Sequence, residues 1–189
     1  MTMNFSNIVS FVAHLETIRH DMDRLGPAIV RHGAEAIRRQ AQNYIGTYDA
    51  VPQWPQLATS TQKERVKKGF PANEPLLRSG EMRDSIEITI ARDGMSAEIG
   101  SNNDKAVWAE LGTSRAPPRP FLGPAADIMG PQIAKAAGRA ALAVMLGRGA
   151  LSAEMHELLH LLHSLKEAGH ALKENLVDPH IEDEREHRR

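Results

Sequence analysis

The sequence predicts an α+β chain, with N-terminal helices, a small antiparallel sheet built on one β-hairpin, a long helix packed on that sheet and a helical C-terminal extension. Three observations predict it. Apolar residues recur at three- and four-residue steps near both ends of the chain, they alternate with polar residues on either side of Asp93-Gly94, and aromatic residues make up only 4% of the composition. A core with so few rings must be filled by Leu, Ile, Val, Ala and Met, which favours helix packing over an aromatic-filled sandwich.

The N-terminal helical register runs through Ile8, Phe11, Leu15, Ile18, Met22 and Leu25. Gly26-Pro27 then predicts a break and a restart, because proline is tolerated in the first turn of a helix but not inside one. Ile29, Val30, Ile37, Ala41 and Tyr44 mark the second helix, and Gly46 ends it. Residues 46 to 75 carry Pro52, Pro55, Gly69, Pro71 and Pro75 around Trp54, so they form a long irregular connection with one short helix at TQKERVKK, 61 to 68. Connections of that length usually serve binding or subunit contact.

Ile86, Ile88 and Ile90 alternate with polar residues before Asp93-Gly94, and Met95, Ala97 and Ile99 alternate after it. This spacing predicts a hairpin over 85 to 100 whose tight turn has positive φ at both central residues. KAVWAEL, 105 to 111, suits a short helix or a strand. The three prolines between Ser114 and Pro120 bar that stretch from a central strand. An alanine-rich helix follows from Leu122 to about Leu146, with a disturbance expected at Gly130-Pro131. Gly147-Arg148-Gly149 is a hinge. Three parts are therefore expected: a domain over 1–149, an amphipathic helix over 150–176 with a leucine seam, and a charged, disordered tail over 177–189.

Composition narrows function by exclusion. The 189 residues hold no cysteine, so disulfides and thiolate metal sites are out. The N-terminus has no basic leader and no apolar run approaches a bilayer span, which predicts a soluble chain with no membrane contact. Residues 1–150 carry 18 Lys and Arg against 15 Asp and Glu, an excess too small for a dedicated nucleic-acid binder. A DNA-binding phage protein, a toxin or regulator that holds DNA through the Lys63 to Lys68 cluster, is one alternative reading. HELLH at 156–160 has the spacing by which His156 and His160 could hold zinc while Glu157 acts as general base. It lacks a third ligand: the positions where an extended zinc-protease motif has glycine and histidine hold His163 and Lys166. Six of the nine histidines lie after residue 150, so composition alone accounts for the match. A zinc hydrolase is the other alternative reading. The expectation is no enzyme, no cofactor and no metal.

The segment from 74 to 125 carries the functional signal. Leu76, Leu77, Ser79, Gly80, Met82, Ser85 and Ile86 lead into the hairpin, and Ile99, Gly100 and Ser101 end it. Ala106, Glu110, Gly112 and Thr113 follow, and Pro118, Arg119, Pro120, Phe121, Leu122, Pro124 and Ala125 open the last helix. In this order the segment resembles the neck or tail-completion (head–tail joining) family of long-tailed bacteriophages and prophages, and Trp54 with Leu57 resembles the stretch that precedes it there. Met82 and Trp108 depart from the family's commoner residues, and the histidine-rich region after 150 has no counterpart in the pattern.

The resemblance implies a structural virion protein, assembled in the host bacterial cytoplasm. It implies a ring of six subunits at the head–tail interface, between a portal, adaptor or head-closure protein and a tail terminator or tail-tube protein, with DNA passing through. Trp54, Arg78, Glu110, Thr113, Arg115, Pro118 and Arg119 are the candidate contact residues. Leu77, Gly80, Ile86, Gly100, Gly112, Pro120, Phe121 and Leu122 are the candidate structural positions.

Overall fold

The computed structural model describes residues 8–146, which form seven elements. They are α1 (Ile8–Tyr44), α2 (Thr59–Lys67), α3 (Glu81–Asp84), β1 (Ile86–Ile90), β2 (Ala97–Ser101), α4 (Asp104–Leu111) and α5 (Leu122–Met145). The α+β class expected from the sequence is what these elements make. The leucine seam, the HELLH motif and the charged tail lie outside the described residues.

The predicted break at Gly26-Pro27 does not occur. α1 is one helix of 37 residues with Pro27 inside it. Proline removes one intrahelical hydrogen bond and its ring crowds the preceding turn. Here Asp23, whose carbonyl loses its partner, sits on an exposed turn where water can replace it. The hairpin turn also covers the site. A Cβ added at Gly94 would lie 2.9 Å from Pro27 Cβ, and one added at Gly26 would lie 2.9 Å from the Met95 thioether. Gly26 thus admits Met95, and the Pro27 ring becomes a packing surface. Tertiary contact has overridden a local breaker. Gly130-Pro131 gives the same result: α5 runs through it without interruption.

α1 and α5 are the main packed pair. Gly33, Ala34, Ala36 and Ala41 of α1, with Ala125, Ala140 and Ala143 of α5, are buried, and an added Cβ at Gly33 would stand 3.0 Å from Ile133 Cγ2. Small residues bring the two backbones close. Below this contact lies the main core, where Ala41, Tyr44, Ile45, Ala50, Trp54, Met82, Ile86, Ala106, Ala109, Phe121 and Ala125 form one buried cluster. With Ile99 of β2 packed against it, it joins every described element except α2, which is tied on by Arg65.

β1 and β2 pair antiparallel, with Ile86 opposite Ser101, Ile88 opposite Ile99 and Ile90 opposite Ala97. Those residues share the face turned to α1, while Glu87, Thr89 and Glu98 point outward and are exposed. The connection differs from the expected two-residue turn. It spans 91–96, closed by Ala91 N–H to the Ser96 carbonyl at 3.0 Å and Gly94 N–H to the Ala91 carbonyl at 2.9 Å. Only Gly94 has positive φ, at 70°. Asp93 instead accepts the Met95 N–H on its carboxylate at 2.9 Å, which stabilises the turn without a left-handed Asp.

On α1, Glu35 accepts two hydrogen bonds from Arg38, at 3.0 and 2.7 Å, and one from Arg39 at 2.8 Å. The Arg38 bonds are the main reason its carboxyl titrates below the usual carboxylate range; burial opposes the shift and Arg39 adds to it. A lowered folded pKa gives stability that is present above the unfolded value and lost as pH falls through the folded one. Acid titration of the wild type should therefore lose up to about 1 kcal/mol from this triad below about pH 4. Glu35→Gln should remove that portion of the acid slope, measured by urea unfolding at pH 3 and pH 6.

Candidate assembly surface

The 46–75 connection and the 112–120 loop, which carry five of the seven candidate contact residues, are first of all fastened to each other and to the core. Trp54 is 3% exposed, and its indole N–H donates to the Pro120 carbonyl at 3.1 Å. Arg119 returns a bond across the same seam, from its guanidinium to the Pro55 carbonyl at 3.1 Å, and its backbone N–H donates to Ala109 at 2.7 Å. Trp54 was a candidate contact residue; the structure places its ring in the chain's own core. Arg119 is half-buried and stitches the proline loop down.

Glu110 is also turned inward. Its carboxylate accepts the backbone N–H groups of Phe121 (2.8 Å), Leu122 (3.1 Å) and Gly123 (2.9 Å). These are the donors a helix leaves unsatisfied at its start. The local N-cap, Phe121, makes no side-chain cap, so α4 supplies from outside the capping group that α5 lacks. Negative charge there also suits the positive end of the helix dipole. Phe121 itself is wholly buried beneath this junction, and Leu122 packs against the same core.

Gly112 ends α4 with φ 75° and ψ 178°, a conformation confined to glycine, and a Cβ there would meet Pro118 N at 2.9 Å. The chain doubles back tightly. Thr113 and Ala116 pair through backbone bonds of 2.9 and 3.3 Å, and the Thr113 hydroxyl accepts the N–H groups of Arg115 and Ala116. Thr113, Arg115 and Pro118 remain exposed on a pinned loop, beside a shallow open depression of about 500 Å³ lined by residues 111–118.

The 70–80 lead-in is held by a buried cation. Arg65 of α2 is 8% exposed and donates from Nη1 to the carbonyls of Glu74 (2.6 Å) and Leu77 (2.9 Å). Burial, more than the nearby Arg78, pulls its pKa below the usual guanidinium value. Gly46 N–H bonds the Pro75 carbonyl at 2.8 Å, and Leu76 adopts φ 60°, a conformation rare outside glycine. Leu77 packs over Gly46, and Gly80 has φ 87° ahead of α3. Arg78 stays outside, bonded to Glu64 at 3.1 Å and lying over the Phe70 ring at 4.7 Å. Gly100 has open space where a side chain would be, in the exposed row of β2.

One feature was missed in the sequence. In α4 only Ala106 and Ala109 are buried, so Val107, Trp108 and Leu111 face outward, with Trp108 56% and Leu111 75% exposed. The signal was present in KAVWAEL: two alanines three residues apart mark the inner face of a helix and leave the large side chains outside. An exposed tryptophan and leucine side by side, flanking a rigid loop, are the kind of patch that marks contact with another protein.

Among the described residues no group of three or more His, Asp and Glu converges as a metal site would require, and no helix is long and apolar enough to cross a membrane. No known family model, curated protein or solved structure matches the chain.

Proposed function

We propose that this chain is a structural subunit of the head–tail junction of a tailed bacteriophage, a neck or tail-completion protein that works as a ring of six copies. One observation carries the reading. The segment that resembles that family is fastened from within by Trp54, Glu110 and Arg119, and it turns outward the apolar face of α4 with the pinned 113–118 loop beside it. The side chains of Trp54, Glu110 and Arg119 are spent on holding backbone. What this leaves for a partner is shape and apolar area, which suits assembly.

Val107, Trp108 and Leu111, with Thr113, Arg115 and Pro118, form the face offered to the portal-side or tail-side neighbour. Arg115 gives that face a positive charge for steering or pairing. The proposal is tested by measuring the mass of the purified chain alone and mixed with its neck partners. It expects a ring-sized assembly in one of the two. A chain that stays monomeric in both sinks it. Replacing Trp108 and Leu111 by serine should weaken partner capture while leaving the unfolding midpoint nearly unchanged, since both side chains are exposed.

A further inference from the structure

We propose that copies of this chain join strand to strand, the outer edge of β2 in one copy pairing antiparallel with the outer edge of β1 in the next. In an antiparallel ladder every second pair exchanges backbone hydrogen bonds. The Ala91-to-Ser96 bond sets the phase, so Thr89 pairs in this way with Glu98 and Glu87 with Gly100. The N–H and C=O groups of Ile86, Ile88 and Ile90 then point away from β2, and those of Ala97, Ile99 and Ser101 point away from β1.

Among the described residues no backbone or side-chain hydrogen bond reaches those outward groups. Among the described residues the sheet has two strands and no third, so both edges stand open there. Natural sheets guard open edges with proline, lysine, bulges or inward charges. Neither strand has any of these: the ladder is regular over five pairs, and its charges, Glu87 and Glu98, lie on the outer face. An unguarded edge is a template for another strand.

The occupant is a second copy because the two edges complement each other. If the internal register is repeated between copies, Ile86 meets Ser101, Ile88 meets Ile99 and Ile90 meets Ala97 as bonded pairs, about six hydrogen bonds in all. The apolar face then continues from copy to copy. On the outer face Thr89 falls opposite Glu98 and Glu87 opposite Gly100, so no like charges are directly opposed. A two-fold β1-to-β1 contact would satisfy one edge and leave the other bare. The head-to-tail contact satisfies both, and it closes into a ring when the rotation between copies closes. This inference rests on the assembly reading only in requiring that copies meet.

Ile90→Pro and Ala97→Pro test it, because each places a ring on one outer edge without removing an internal ladder bond. Native mass measurement should show each variant failing to form the wild-type assembly, while an equimolar mixture forms a one-to-one pair through the two intact edges. In assembled wild type, the amides of Ile88 and Ile99 should exchange with solvent at least about a hundredfold more slowly than in dilute monomer, a readout that needs no variant to fold. Loss of assembly in Ile90→Pro but not in Ala97→Pro points to β1-to-β1 pairing and overturns the proposal. Variants that assemble like wild type, with fast-exchanging Ile88 and Ile99 amides, overturn it while leaving the ring reading intact. A wild type that is monomeric alone and with its partners removes both.

Discussion

Trp54→Ala should lower the stability of the fold by about 3–5 kcal/mol, the range for emptying a buried aromatic site. The ring lies in the main core cluster with Tyr44, Ile86 and Phe121, and its N–H is the donor to the Pro120 carbonyl. Trp54→Phe separates the two contributions. It retains most of the apolar volume but leaves that carbonyl without its donor, so a loss of about 1–2 kcal/mol is expected. Chemical denaturation of both variants measures the difference. A Trp54→Ala loss of under about 0.5 kcal/mol, the scale of a neutral surface change, would place the ring on a contact surface, the role the sequence had allowed for it.

The second large effect falls on Glu110. Glu110→Ala leaves the N–H groups of Phe121, Leu122 and Gly123 at the start of α5 without their acceptor, which should cost about 2–3 kcal/mol, since hydrogen bonds to a charged group exceed an ordinary cap. Glu110→Gln keeps one carbonyl oxygen and should recover about half of that. The amides of Phe121 and Leu122 should lose their exchange protection in Glu110→Ala before the rest of α5 does. If Glu110 served only a partner, both variants would unfold like wild type and fail only in assembly.

These two residues show where sequence reading stops. The hairpin, the short α2 and the alanine-rich α5 were legible because each announces itself within about ten residues: alternation, a charged helical run, small residues on one face. Glu110 was singled out through a resemblance, yet its role as a cap depends on α4 and α5 meeting at an angle no local spacing encodes. Trp54 and Arg119 bond across 64 to 66 residues of chain. Pro27 was misread for the opposite reason, because the local rule was sound and a remote contact from Gly94 and Met95 outweighed it.

The candidate surface divides along the same line. Thr113, Arg115 and Pro118 are exposed as a loop with three prolines requires, and Arg78 is exposed though engaged with Glu64 and Phe70. Trp54, Glu110 and Arg119 turned out to fasten the framework that presents them. The outward apolar face of α4 was overlooked because KAVWAEL is too short to settle helix against strand, and only the helix puts Val107, Trp108 and Leu111 together.

We propose an assembly subunit whose 74–125 segment serves contact with other subunits. Imaging assembled particles by electron cryomicroscopy, with the chain located by density or by a bound antibody fragment, tests it most directly. The account predicts a closed ring of the chain where the capsid meets the tail, with adjacent copies side by side. Particles that complete their head–tail junction without the chain, or that carry it as isolated single copies, would contradict it.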